Sequence, residues 1–197
     1  MKFFKENSYD IVRLFINQIG ITIFSMILYT AVGMVNIESG TKISIKVILS
    51  IFSILFYFAL LYTVAWDWGA KDKIRIDGGR MEPIKMKGAR MAIFANIPNF
   101  VLSFVYALTM GLYVLGVEGV KNVSAVFNTI TRLLMSMYLG LIQAVFSPLS
   151  ADIFVYNFWQ AVGYFVAPIF AIAVTELGYS LGGKEKKLFG TTQKNNR

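Results

Sequence analysis

The chain has 197 residues, of which 56% are hydrophobic and only 15% charged, with a formal net charge of +8 and a mean hydropathy of +0.61. A soluble domain carries about a quarter charged residues, so the composition describes one all-α polytopic membrane domain. There is no cysteine and no histidine. That removes disulfides, thiolate nucleophiles, haem and Fe–S ligation and His-based metal or triad chemistry, and leaves no cofactor to expect.

The positive balance is not read as a nucleic-acid signal, because no soluble stretch interleaves stacking aromatics with basic residues. In a membrane chain such charge gathers in cytoplasmic loops and beside anionic headgroups, which makes the lipid bilayer the first expected partner.

Residues 1–13 (MKFFKENSYDIVR) are mixed in charge and suit either a short interfacial helix or a ragged end. The apolar run 14–35 is longer than the h-region of about 7–15 residues in a signal peptide, so it is expected to be an uncleaved first span. Gln18, Thr22, Ser25, Tyr29 and Gly33 share one face of a helix there. No ionised residue joins them. The pattern predicts a face turned toward neighbouring helices, hydrogen-bonding across the interface; a solute path is the alternative.

A short link at Asn36–Thr41 leads to a second apolar run, 43–66, whose bulky side chains suit a lipid-facing helix. Tyr62, Trp66 and Trp68 at its end resemble an aromatic belt at the water interface.

Residues 67–90 interrupt this pattern with seven Lys/Arg and four Asp/Glu in 24 residues. Hydrocarbon cannot solvate such a segment, so it is expected in water or at headgroup level, on the cytoplasmic side. Asp77-Gly78-Gly79 is a possible hairpin turn, and Gly78, Gly79 and Arg80 a possible phosphate nest. Lys71, Lys73, Arg75 and Arg80 are the candidate contacts for anionic headgroups or a cytosolic protein partner. Asp67, Asp72, Asp77 and Glu82 recur every five residues, which puts no two adjacent on a helix face and offers no paired carboxylates for catalysis.

The third segment, 91–117, contains Asn96-Ile97-Pro98-Asn99, where Pro98 is expected to kink the helix. Ala95, Asn99, Ser103, Ala107 and Gly111 recur at four-residue spacing, a stripe that lets membrane helices approach closely. The fourth segment, 126–146, places Asn128, Arg132, Ser136, Gly140, Gln143 and Ser147 on one face. An arginine in hydrocarbon costs several kcal/mol unless it snorkels or faces a cavity. Two readings remain: a full span with its polar face inside the bundle, or an interfacial or re-entrant helix.

The last segment, 158–180, carries a second stripe, Gly163, Ala167, Ala171 and Thr175, expected to pack on the first. Glu176 lies near its end and is a candidate proton or cation site with Arg132. Asn96, Asn99, Arg132, Gln143 and Glu176 together form the candidate lining of a polar cavity. Residues 182–197 form a polar, basic tail.

The cations of 67–90, with Lys2, Lys5 and Arg13, put that segment and the N-terminus in the cytoplasm. Five full spans would export a tail carrying Lys184, Lys186, Lys187, Lys194 and Arg197. Four spans plus a re-entrant fourth segment would keep it inside. Five membrane-embedded helices are expected, with the side of the tail open.

The order of Trp68-Gly69-Ala70-Lys71-Asp72, Gly79-Arg80 and Lys87-Gly88 resembles small multi-pass bacterial membrane proteins of unknown function, over roughly the whole chain. The resemblance implies a bacterial cytoplasmic membrane and no activity. The function expected is a non-enzymatic subunit or scaffold of a membrane complex. The alternative is a small-solute transporter, channel or substrate-capture subunit.

Overall fold

The structure is a computed structural model that describes residues 2–36, 39–146 and 153–186. Ser147, Lys187, Lys194 and Arg197, singled out above, lie outside the described residues. The helices are α1 (Lys2–Glu6), α2 (Ser8–Met34), α3 (Ser39–Asp77), α4 (Lys87–Val114), α5 (Lys121–Leu134), α6 (Leu139–Phe146) and α7 (Ile153–Gly182), with 3-10 turns at Glu118–Val120 and Ser136–Tyr138. There is no strand among the described residues. The chain is an all-α bundle in which α2, α3, α4 and α7 are long and apolar enough to cross a membrane. This is the architecture of a multi-pass membrane protein.

Helix directions follow from which residues meet. The Phe24 and Phe52 rings lie 6.4 Å apart, and the Tyr29 hydroxyl reaches the Lys46 carbonyl, so α2 and α3 run antiparallel. A Cβ on Gly88 would touch Thr175 and Tyr179, and one on Gly111 would touch Phe158, so α4 and α7 are antiparallel. Gly178 sits on Tyr62 and Gly182 on Trp66, which makes α3 and α7 parallel.

α7 therefore starts at the end of the bundle where α4 finishes. Whatever joins them must enter and leave by the same face. The joining elements are α5 and α6, bent by 86° at the break between them. Of the two readings of the fourth segment, the full span falls and the re-entrant helix pair stands. The end of α7, the segment between α3 and α4, and the start of α2 share one face of the bundle, called the loop face here. The tail accordingly leaves from the same side as residues 67–90.

The charged segment is more helical than its composition implied. α3 does not stop at Trp66 but runs for 39 residues, about 58 Å, well past a hydrocarbon layer of about 30 Å. Its last turns carry Asp67, Lys71, Lys73 and Asp77 as i,i+4 ion pairs, which favour helix over hairpin. It ends in a Schellman motif. Gly79 takes a left-handed φ of +67°, its N–H donates to the Ile76 carbonyl at 2.9 Å, and the Arg80 N–H donates to the Arg75 carbonyl at 2.9 Å. Gly78-Gly79-Arg80 is a helix stop, neither a hairpin turn nor a phosphate nest.

α3 is also not simply lipid-facing. Ser50, Ser53, Ile54, Tyr57, Leu61, Ala65 and Trp68 are buried, while Ile48, Phe52, Leu55 and Phe56 form the exposed face. Of the expected aromatic belt, Trp68 is inside the bundle, and Trp66 donates its indole N–H to the Lys186 carbonyl at 2.7 Å. α4 continues unbroken through Pro98, and α7 through Pro168.

Candidate functional site

Breaking a helix inside a membrane leaves the last carbonyls of α5 and the first amides of α6 without intrahelical partners, in a place with no water to serve them. The polar face of α2 meets that need. The Thr22 hydroxyl donates to the Leu134 carbonyl at 2.8 Å, and the Gln18 side-chain amide donates to the same carbonyl at 3.4 Å. The Ser136 hydroxyl donates back to the Thr22 carbonyl at 2.8 Å. On the α6 side, the Gly140 N–H donates to the Tyr29 hydroxyl at 3.2 Å and the Leu141 N–H to the Ser50 hydroxyl at 3.1 Å. Tyr29 and Ser50 are themselves hydrogen-bonded. Gly140 has to be small here, because a Cβ would lie 2.9 Å from the Ser50 oxygen and closer still to the Lys46 backbone.

Gln18 also joins a closed amide cluster. Its Nε2 donates to Asn99 Oδ1 at 3.0 Å and its Oε1 accepts from Asn99 Nδ2 at 2.7 Å. Asn99 Nδ2 donates in addition to Asn96 Oδ1 at 2.8 Å, and Asn96 Nδ2 to the Ala92 carbonyl at 2.9 Å. All three side chains are buried and bonded to one another.

At the loop face a second cluster ties α3, α4 and α7. Asp72, 4% exposed, accepts from Lys87 Nζ at 2.7 Å, from the Tyr179 hydroxyl at 2.8 Å and from Arg75 at 3.5 Å. Tyr179 is held between two glycines: a Cβ on Gly69 would strike its carbonyl, and one on Gly88 would lie 2.7 Å from its Cβ. Glu176 Oε2 accepts the Ala89 N–H at 2.8 Å, so a carboxylate from α7 caps the positive end of α4. The Trp-Gly-x-x-Asp and Lys-Gly elements noted in the sequence converge on this clamp.

The third polar locus is on the far face. Arg132 Nη2 donates to Gln160 Oε1 at 2.5 Å and to Asn157 Oδ1 at 3.3 Å. Arg132 has no carboxylate partner among the described residues. Its Nε and the Nε2 of Gln160 are buried donors without a partner.

The five residues expected to line one polar cavity are therefore split among separate places. Asn96 and Asn99 belong to the amide cluster with Gln18. Arg132 belongs to the Asn157–Gln160 locus, and Glu176 to the clamp. Gln143 is half-buried and joins none of them. Sixteen residues of α7 separate Gln160 from Glu176, about 24 Å of helix, so a joint cation site of Arg132 and Glu176 is ruled out.

Of the candidate headgroup contacts, Lys71 and Lys73 lie in ion pairs with Asp67 and Asp77, and Arg75 reaches Asp72. Arg80 is exposed with no ion pair among the described residues.

The small-residue positions are mostly buried, on two helices that pack antiparallel against each other. On α4, Asn99 meets Gln18, Ser103 donates to Met135 Sδ of the break at 3.7 Å, and Gly111 meets Phe158; Ala95 is buried and Ala107 half-buried. On α7, Gly163 meets Phe146 of α6, and Ala167 and Ala171 are buried. The α7 stripe continues through Gly178 and Gly182, a Gly-x-x-x-Gly spacing that seats α7 on α3 and that the sequence reading missed. Asp72 and Tyr179 were also missed as a pair. The readable signal was an acidic residue between two glycine-bearing elements.

The architecture defines a multi-pass helical membrane protein with a re-entrant helix pair. Set against family models, characterised proteins and solved structures, the chain matches none of them.

Proposed function

We propose that the chain is a non-enzymatic subunit or scaffold of a membrane complex, in a bacterial cytoplasmic membrane, with both ends and residues 67–90 in the cytoplasm. Its support is the distribution of charge. Of the sixteen Lys/Arg among the described residues, only Lys42, Lys46, Lys121 and Arg132 belong to the far half of the bundle; the other twelve are at the loop face. Cytoplasmic segments gather cations in this way. Within residues 67–90, Lys71, Lys73 and Lys87 are ion-paired with Asp67, Asp77 and Asp72, and Arg75 shares Asp72 with Lys87. The exposed Arg80, Lys85 and Arg90 are the groups left for anionic headgroups or an acidic partner, each worth about 1 kcal/mol near an anionic surface.

Purification in mild detergent tests the reading. A stoichiometric partner should remain with the chain and be lost when Arg80, Lys85 and Arg90 are changed to Gln. Changing Lys71 and Lys73 to Gln should release less of it. A chain that runs alone in every case overturns the proposal.

A second reading, capture or passage of a small anionic solute, is favoured by one observation: a re-entrant pair that carries an arginine without a carboxylate partner among the described residues. Against it stands the amide cluster of Gln18, Asn96 and Asn99, whose groups are spent on one another. Uptake of labelled anions into proteoliposomes, compared between wild type and Arg132→Gln, separates the two readings.

A further inference from the structure

Several buried polar groups of the bundle, Ser25, Ser53, Thr131 and Tyr138 among them, are neutral hydroxyls without a partner among the described residues, but Arg132 is the charged residue in that set. Its guanidinium brings a full positive charge to the re-entrant helix. Its partners among the described residues, Gln160 Oε1 and Asn157 Oδ1, are neutral amide oxygens that solvate a charge without cancelling it. Gln160 is 0% exposed, yet its Nε2 donates to nothing, and the same holds for the buried Nε of Arg132.

A buried amide whose oxygen is taken and whose NH2 is free, beside a guanidinium with a free Nε–H, offers donors and net positive charge. That is the complement of an oxyanion. A carboxylate side chain would satisfy it, but none is in place among the described residues. Glu176 is spent on the α4 cap.

The position narrows the ligand further. Gln160 is seven residues into α7, about 10 Å along the helix from Ile153, on the far face. That places the locus in the far half of α7, away from the clamp at the loop face. Here a planar guanidinium fork with an adjacent amide suits phosphate oxygens well, because charge-assisted N–H···O bonds are shorter and stronger than neutral ones.

We propose that Arg132, Gln160 and Asn157 form a phosphate-binding site on the far face, in which Arg132 Nε and Gln160 Nε2 donate to the oxygens of a phosphate monoester or diester. The phosphate is carried either by a lipid headgroup of that leaflet or by a free anion. Asn157 holds the guanidinium in place. The site does not depend on the scaffold reading, and either can fail without the other.

Trp159 stands next to Gln160 and is 40% exposed, so intrinsic fluorescence reports on the locus. The full-length protein in detergent is titrated with inorganic phosphate at constant ionic strength, chloride being the reference. The same protein is reconstituted in nanodiscs of phosphatidylglycerol or phosphatidylcholine, and native mass spectrometry counts the lipids it retains. A saturable fluorescence change and a rise in Tm with inorganic phosphate identify a free anion. Retained phospholipid with no response to inorganic phosphate identifies a headgroup.

In either case Arg132→Gln should weaken binding about tenfold or more, the scale of one charged hydrogen bond. Gln160→Leu should weaken it as well. Arg132→Lys keeps the charge but loses Nε and should recover only part. Lys5→Gln, an exposed cation on the opposite face, should leave binding unchanged. The proposal is overturned if the wild-type protein shows neither response, a result that needs no variant to fold. It is equally overturned if Lys5→Gln reduces binding as much as Arg132→Gln.

Discussion

Changing Thr22 to Val tests whether the polar face of α2 exists to satisfy the break between α5 and α6. The two side chains are nearly isosteric, and Val adds no charge or bulk. What disappears is one hydroxyl, and with it the 2.8 Å bond to the Leu134 carbonyl. A buried acceptor left without its partner costs about 1–3 kcal/mol. Gln18 still reaches the same oxygen at 3.4 Å, so the carbonyl is weakened rather than abandoned, and a loss of about 1–2 kcal/mol is expected. Thr22→Ser restores the hydroxyl and should cost less than half as much. Gln18→Leu combined with Thr22→Val leaves the carbonyl bare, and the pair should lose more than the sum of the single changes, since both act on one acceptor. Unfolding in mixed micelles, followed by the fluorescence of Trp66, Trp68 and Trp159, gives the free energies. Hydrogen exchange should show the excess opening at residues 134–141. If Thr22→Val is as stable as wild type while Thr22→Ser is not, the hydroxyl is not what holds the break, and the account of the α2 face is wrong.

At the loop face, Asp72→Asn should cost about 3–5 kcal/mol, because Lys87, only 8% exposed, would keep its charge without a counterion. A second change, Lys87→Met, should recover much of that loss in the same unfolding assay. Gly178→Leu should prevent α7 from seating on α3, since even a Cβ would lie 2.7 Å from the Tyr62 carbonyl; the readout is loss of the monodisperse peak in size-exclusion chromatography. Gly20→Ala, with nothing near its added Cβ, should stabilise α2 by about 0.5–1 kcal/mol in the same unfolding measurement. Because the chain has no cysteine, single Cys probes at Lys73 and Lys186 should both label from one side of the membrane, and probes at Lys42 and Lys121 from the other. Opposite labelling of Lys73 and Lys186 would refute the re-entrant assignment.

Much of the bundle was legible because solvation writes itself into sequence. Four of the five apolar runs became single long helices, and the buried face of α2 was readable from Gln18, Thr22, Ser25 and Tyr29 at helical spacing. The extension of α3 was not. Lys71, Lys73 and their aspartates look like a solvated loop to any reading based on hydropathy, although their spacing is that of helix ion pairs. The partners of the polar residues were also out of reach. Asn99 and Arg132 both read as cavity-lining groups, but which residues they meet depends on the direction of α7, and that depends on whether α5 and α6 cross. A local pattern cannot carry that information. The conflict between five spans and a basic tail did carry it. Counted as charges on one face, the tail argued for four spans and a re-entrant pair.

Charged groups and neutral polar groups hold different depths of this bundle, for a reason rooted in their hydration. An ion pair such as Asp72–Lys87 needs further donors and nearby water or headgroups to offset its desolvation, and it sits at the end of α3 that projects past the hydrocarbon. The break between α5 and α6 lies deeper, and it is held by hydroxyls, amides and backbone groups alone, which lose far less on leaving water. On that division a cation in the re-entrant pair is out of place. Sequence economy would favour a Gln or Met at position 132, as neither would need a counter-charge. An arginine held there by two amide oxygens, with donors left over, is better explained by something it binds than by something it supports. Replacing it should then cost little in the stability of the empty protein and much in its affinity for phosphate. Should Arg132→Met destabilise the protein in phosphate-free detergent as strongly as Asp72→Asn does, the residue is a structural strut and the explanation fails.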